Sequence, residues 1–313
     1  MKTIKPQRLR KGDLIGFAAP ASPVTDQSKI DGGIQYLERL GYRVTMGEHV
    51  GKVHGYLAGN DSERVSDLHA LFADRRVKAI VAVRGGYGTP RLLSMLDYRL
   101  ISRNPKILVG FSDITALQLA LWTQCRLLTF HGPMAGVEMA GIIDPFTEEQ
   151  FWGTVTSTKR MGRIRFPIGK KVRSLHKGTA TGRLMGGNLS LVVSLLGTRY
   201  FPGISGAVLF LEETGEEPYR VDRMMTQLRN AGVMALIGAV LAGDFSDCKP
   251  KDRTKPSLSV EDVLTDAARL ARKPFVSGMP FGHLRKKITL PTGLRVRVNS
   301  SGPSLEFLEA AVC

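Results

Sequence analysis

Two apolar runs constrain the fold of this chain more than any other feature. Val77–Val83 and Lys106–Val109 are continuous rather than alternating, the pattern of strands covered on both faces in a parallel sheet. Similar segments precede them at regular intervals. Asp13–Ala19 reads as a buried strand that ends in the loop Pro20–Pro23, Ile30–Leu40 as a helix stopped by Gly41, and Tyr42–Met46 as a short second strand. Asn60 followed by Glu63 is a capping signature. It opens a helix through about Ala73 with Val65, Leu68, Leu71 and Phe72 on one face. Strand and helix alternating in this rhythm predict a doubly wound α/β domain, whose sites lie beyond the carboxyl ends of the strands.

A chain of 313 residues exceeds one ordinary core, so a second domain is expected. The rhythm changes near Phe151. Gly, Lys, Arg and Thr dominate the next stretch, which predicts an α/β domain over 1–152, a linker over 153–178 and a β-rich domain over 179–313. In that last part Ala207–Leu211 reads as a strand, Tyr219–Ala231 as a helix and Leu236–Leu241 as another apolar run. Ile288, Leu290, Leu294, Val296 and Val298 then predict a hairpin turning at Pro291–Gly293.

Composition excludes several classes. With 43% hydrophobic residues the chain can fill its cores, yet no apolar run is long enough to cross a bilayer. The basic start leads into no signal-peptide core, so a cytoplasmic protein without membrane attachment is expected. Cys125, Cys248 and Cys313 are widely spaced and the six histidines show no HExxH pattern, against a disulfide framework or a metal site. The balance of 44 Lys+Arg to 28 Asp+Glu gives +16, with clusters at Arg163–Arg173, Lys249–Lys255 and Arg285–Lys287. Such a surface attracts polyanions non-specifically. Aromatics are only 7% and no nucleic-acid-binding module is present, so the charge reads as a solvated surface rather than a specific nucleic-acid site.

Four features sit where strands should end. In Gly110–Phe111–Ser112–Asp113 a serine stands between an apolar run and a helical pattern. It is either an N-cap or a hydroxyl exposed at a strand-to-helix turn, beside the free Asp113 N–H at a helix start. Arg84–Gly85–Gly86–Tyr87–Gly88 follows Val77–Val83 and is either a plain turn or a backbone cradle for an anion or oxyanion. It lacks the full dinucleotide fingerprint and is no Walker A loop. Glu212 and Glu213 end the strand Ala207–Leu211, as a solvated acidic loop or as a strand-end site. His283, in the turn Gly278–His283, is either an ordinary surface or core histidine or one fixed so as to reach across a domain interface.

The order Ser, Glu, His, set in its local motifs, resembles the serine LD-carboxypeptidase family. That family comprises muramoyltetrapeptide carboxypeptidases, with the microcin C immunity peptidases as a sister branch. The resemblance covers nearly the whole chain. It rests on Gly12–Ser22 (GDLIGFAAPAS), Gly55–Asp61 (GYLAGND), Ala82–Gly88 (AVRGGYG), Gly110–Leu117 (GFSDITAL) and His131–Met134 (HGPM). It continues through Gly182–Thr198, Leu209–Leu228 and Gly278–His283 (GMPFGH).

This resemblance implies a flavodoxin-like N-terminal domain and a smaller β-rich C-terminal domain, with the site between them. It implies Ser112 as nucleophile, His283 as general base and Glu212 as the group that orients it. The N–H groups of Gly86 (or Gly85) and Asp113 would form the oxyanion hole. It also implies no metal or organic cofactor, a homodimer, and release of terminal D-alanine from murein tetrapeptides during peptidoglycan recycling. Strand alternation sends Glu212 and Glu213 to opposite faces, so only one can serve. Arg84, Asn188 and Arg220 are the expected substrate contacts. Two other readings are an immunity peptidase acting on an acyl or peptidyl nucleotide, and a non-catalytic anion or nucleic-acid binder.

Overall fold

The computed structural model describes residues 2–252 and 254–313; Met1 and Arg253, the latter within the basic cluster Lys249–Lys255, lie outside the described residues. Two sheets form the framework. The first contains β1 (Leu14–Ala18), β2 (Arg43–Met46), β3 (Val77–Ala82), β4 (Ile107–Gly110) and β5 (Thr129–His131), which are parallel in the order 2-1-3-4-5. This is the flavodoxin-like order. The helices between these strands are α1 (Gln27–Arg39), α2 (Asp61–Ala73), α3 (Tyr98–Arg103) and α4 (Ile114–Cys125), and α5 (Pro145–Thr156) follows. Asn60 and Glu63 form the reciprocal capping box of α2, and Val65, Leu68, Leu71 and Phe72 are buried.

Among the described residues the second sheet has eight strands. They are β6 (Gly162–Arg163), β7 (Arg173–His176), β8 (Thr179–Asn188), β9 (Val208–Thr214), β10 (Ala239–Ser246), β11 (Phe275–Ser277), β13 (Arg295–Asn299) and β14 (Ser304–Phe307), in the order 6-14-13-8-9-10-11-7. Helices α6 (Leu189–Ser194), α7 (Pro218–Asn230), α8 (Val233–Leu236) and α9 (Val260–Ala271) accompany it. Its centre, β8-β9-β10-β11, is parallel and its margins are antiparallel. Residues 153–178, read from the sequence as a linker, hold the end of α5 and the short strands β6 and β7.

One sequence expectation is overturned. Residues 288–298 do not fold back on themselves as a hairpin at Pro291–Gly293. Strand β12 (Leu290–Thr292) pairs antiparallel with β5 and closes the edge of the first sheet, while β13 pairs with β8 and β14 in the second. The chain therefore changes sheets at Gly293. That residue has φ +97°, its N–H donates to the Leu184 carbonyl at 2.7 Å, and Arg183 Nη1 donates to its carbonyl at 2.8 Å. The hairpin in this region is β13–β14 instead.

Helix α4 is apolar all round, with ten of its twelve residues buried, because it is covered on every side. It touches β4, β5 and β12 of the first sheet and β8 of the second. The Asn188 N–H at the end of β8 donates to Thr115 Oγ1 at 3.0 Å, which fastens the helix to the second sheet. Among the described residues no helix is long and apolar enough to cross a membrane.

The sheet-switching corner can be tested at Gly293, where a Cβ would lie 2.3 Å from the Trp122 ring and 2.9 Å from Leu128 Cδ2. Backbone strain and overpacking together make Gly293→Ala destabilising by about 2–4 kcal/mol. Urea unfolding measures this, and an unshifted midpoint would contradict the corner.

Candidate active site

At the carboxyl end of β4, Gly110 lets the next helix close tightly over the strand, since a Cβ there would meet Ile114 Cγ1 at 2.8 Å. Two residues later Ser112 has φ +62°, left-handed backbone that costs an L side chain about 1–2 kcal/mol. The cap position of α4 is Asp113, with no side-chain capping bond. Ser112 is thus no N-cap. Its hydroxyl has no hydrogen-bond partner among the described residues and lines an open cleft of about 470 Å³. A strained serine at a strand-to-helix turn is the geometry of a nucleophile elbow.

The glycine loop after β3 packs against this elbow. A Cβ on Gly85 would come within 3.0 Å of Ser112 Cβ, and one on Gly86, where φ is +113°, within 2.4 Å of Ser22 Oγ. Neighbouring loops hold it in place. Ser22 N–H donates to the Gly85 carbonyl at 3.3 Å and Tyr87 N–H to Ser22 Oγ at 3.1 Å. The buried Arg64 bridges the Pro20 and Gly88 carbonyls through Nη1 at 2.6 and 3.1 Å. Thr89 N–H donates to Asp113 Oδ2 at 2.8 Å, so the Asp113 side chain ties the loop to the helix start. Burial pushes the Asp113 carboxyl up, opposed by that bond. The Gly86 and Asp113 N–H groups have no protein acceptor among the described residues, which leaves two donors beside Ser112.

His283 enters the cleft from the loop between β11 and β12. Its Nδ1 lies 2.7 Å from Glu212 Oε2. Glu212 lies in the buried part of β9 and is 0% exposed; burial pushes its carboxyl up, opposed by the imidazole. Gly282 makes the approach feasible, because a Cβ there would lie 2.8 Å from Glu212 Cβ. Glu213 points to the other face of β9. Its carboxylate accepts from Asn188 Nδ2, Ser190 N–H, Ser190 Oγ and Thr214 N–H at 2.7–2.9 Å. Alternation separates the two carboxylates as the sequence requires, and Glu212 is the one against His283.

With the Glu212 carboxylate on Nδ1, Nε2 is the nitrogen left for the cleft. No direct hydrogen bond joins it to Ser112 among the described residues. The two side chains share the cleft, and the Phe111 ring meets His283 edge-on with centroids 4.9 Å apart.

Residues 15–132 match the LD-carboxypeptidase N-terminal domain and residues 181–298 the LD-carboxypeptidase C-terminal domain. The chain belongs to the LD-carboxypeptidase family. A probable murein peptide carboxypeptidase of Bacillus subtilis (strain 168) is 40% identical over 302 residues, covering 95% of this chain and 92% of the relative. The microcin C7 self-immunity protein MccF of Escherichia coli is 27% identical over 332 residues, covering 96% and 94%. A solved muramoyltetrapeptide carboxypeptidase from Oxalobacter formigenes has a TM-score of 0.82 at 32% identity, covering 94% of this chain and 97% of that one. The protein is a carboxypeptidase.

Not every residue expected to contact substrate stands in the carboxypeptidase cleft. Arg84 does, exposed at the rim, with Nη1 donating to the Pro23 carbonyl at 3.3 Å. Asn188 is 3% exposed, its side chain bonds Glu213 and caps α6, and it does not line the cleft. Arg220 is exposed on α7, pairs with Glu216 at 3.5 Å and does not line the cleft. Sequence reading missed Lys29, in the first turn of α1, which lines the cleft with Val24, Met134 and Val137. Its place after β1 was the available signal, since that loop ends at the topological switch between β1 and β3.

Behind the cleft, His131 is 1% exposed among Phe111, Phe210 and Phe281, and both ring nitrogens lack partners among the described residues. Burial, reinforced by Lys287 and His283, pushes the imidazole down to about 3 and keeps it neutral. The unfolded ring titrates near 6.5. Between those values the unfolded chain binds a proton that the native one does not, so this group makes stability fall as pH drops. The slope approaches about 1.4 kcal/mol per pH unit well below 6.5. His131→Phe is expected to remove that contribution, and urea midpoints from pH 7 to 4 report it. Equal slopes in both proteins would contradict it.

Proposed function

We propose that this carboxypeptidase releases terminal D-alanine from murein tetrapeptides in the cytoplasm, as a homodimer serving peptidoglycan recycling. Ser112, His283 and Glu212 act as its triad. The observation that carries this reading is the strained Ser112 elbow in the same cleft as a histidine whose Nδ1 is held by a buried carboxylate.

Ser112 is unreactive at its own pKa and needs a base. His283 Nε2 takes the hydroxyl proton as Oγ attacks the carbonyl between the L- and D-centres. Glu212 fixes the tautomer and stabilises the imidazolium as it forms. The Gly86 and Asp113 N–H groups meet the tetrahedral oxyanion, each contributing about 2.7–4 kcal/mol of barrier lowering. On collapse the C–N bond breaks and the imidazolium protonates the departing amine of D-alanine. Water, deprotonated by His283, then cleaves the ester on Ser112 and releases the tripeptide.

Lys29 and Arg84 give the cleft two exposed cations for the carboxylates of such a peptide. The alternative of a microcin-type immunity peptidase draws support from the Escherichia coli relative. Against it, Phe111 is the one aromatic ring among the described cleft-lining residues, apart from the His283 imidazole, and at 3% exposure it offers no open face for a nucleobase. A non-catalytic anion binder would leave the strained serine and the oriented histidine without a role.

Mass spectrometry of L-Ala-γ-D-Glu-meso-diaminopimelate-D-Ala incubated with the protein tests the reaction. The expected outcome is loss of one alanine, slowed by about 10⁴-fold or more in Ser112→Ala. Equal turnover by both proteins would sink the serine mechanism. Turnover of a peptidyl nucleotide in place of the tetrapeptide would favour the immunity reading. Lys29→Ala and Arg84→Ala are each expected to raise KM about tenfold with kcat little changed, as for loss of a charge-assisted contact. An unchanged KM in both would remove these residues from the substrate site.

A further inference from the structure

Lys287 lies in the basic run Arg285–Lys287 that the sequence presents as solvated surface, yet it is 2% exposed. Its Nζ donates to Glu138 Oε1 at 2.5 Å and stands 4.0 Å from the centroid of the Phe111 ring. Glu138 Oε2 accepts from the Met134 N–H at 2.9 Å, inside the loop after β5 that lines the cleft. The Lys287 N–H donates to Thr147 Oγ1 at 2.9 Å, and that hydroxyl donates to the Arg285 carbonyl at 2.8 Å. The segment that starts at His283 is thus pinned at two further points to the part of the chain that supplies Ser112.

A buried ion pair is a poor source of net stability, because desolvating two charges offsets most of their attraction. Its directional strength is another matter. Phe111 is one residue before Ser112, and its ring touches both the Lys287 ammonium, 4.0 Å from its centroid, and the His283 ring, with centroids 4.9 Å apart. We propose that the Lys287–Glu138 pair is a positioning element for the reaction, fixing His283 over Ser112 across the junction of the two sheets. Lys287 touches neither substrate nor reacting atoms. It acts through Phe111 and through the loop that carries the base. This inference rests on the serine triad proposed above.

The test compares wild type with Lys287→Met and with Lys287→Met/Glu138→Met, which replaces the pair by apolar side chains. Three quantities are read: thermal midpoint, kcat and KM on the tetrapeptide, and the rate at which a fluorophosphonate labels Ser112. Labelling needs the serine–histidine geometry but no peptide. Lys287→Met is expected to lose about 10- to 100-fold in kcat and in labelling rate, with KM within about twofold, as for a small misplacement of reacting groups. The double variant is expected to regain the thermal midpoint while kcat and labelling stay low, because apolar packing supplies no directional tether. If Lys287→Met does not fold, Glu138→Gln keeps the side-chain shape and carries the same expectation. A folded single variant with wild-type kcat and labelling would overturn the proposal, as would a double variant that regains kcat together with stability. Wild type that is labelled but leaves the tetrapeptide intact refutes the substrate alone, and the labelling series still decides the pair. Wild type that is never labelled removes the triad and this proposal together.

Discussion

The active-site arrangement depends on the antiparallel pairing of β12 with β5. A strand from near the end of the chain closes the edge of the first sheet, with Leu290 opposite His131 and Thr292 opposite Thr129. The loop that enters β12 carries His283, and the loops that leave β4 and β5 carry Ser112 and Met134. Ladder hydrogen bonds therefore fix where His283 of the C-terminal half stands relative to Ser112 of the N-terminal half. Each exchange across that ladder is worth only about 0.5–1.5 kcal/mol net, but register is all or none, since a one-residue slip would reverse every side chain.

Helix α4 converts this register into a site. Buried on all sides between the sheets, it presents its start to the cleft, directly after the left-handed turn at Ser112. Strain of this kind persists only where the surroundings over-determine it. Here Gly110 under Ile114, Asp113 bonded to Thr89, and Thr115 bonded to Asn188 do so. The polar groups around it divide the work. Asn188 and the start of α6 hold Glu213, while Glu212 faces His283.

Local pattern made much of this legible. Continuous apolar runs located β1, β3 and β4, and the Asn60–Glu63 pair located the start of α2, because these signals are complete within a few residues. The elbow was visible as Gly110–Ser112, although only the structure, with φ at +62°, separates it from a cap. The hairpin expected at Pro291–Gly293 failed for a specific reason. Alternation reports which face of a strand is buried and is silent on its partner, and the partner of β12 lies far back in the chain at Thr129–His131. Lys287 was hidden because a lysine in a basic run reads as solvent-facing until Glu138 and Phe111 are seen to surround it. Asn188 and Arg220 resemble substrate contacts by residue type alone, and burial in one case and position in the other remove them from the cleft.

Ser112 and His283 are proposed to act as one unit, and a double-mutant comparison tests this most directly. kcat/KM on the tetrapeptide would be measured for Ser112→Ala, His283→Ala and the variant carrying both. Residues that act as a unit are grossly non-additive, so the three proteins should show the same loss to within about tenfold, on the order of 10⁴ or more. A His283→Ala protein that keeps wild-type kcat/KM, or two losses that multiply in the double variant, would contradict the account.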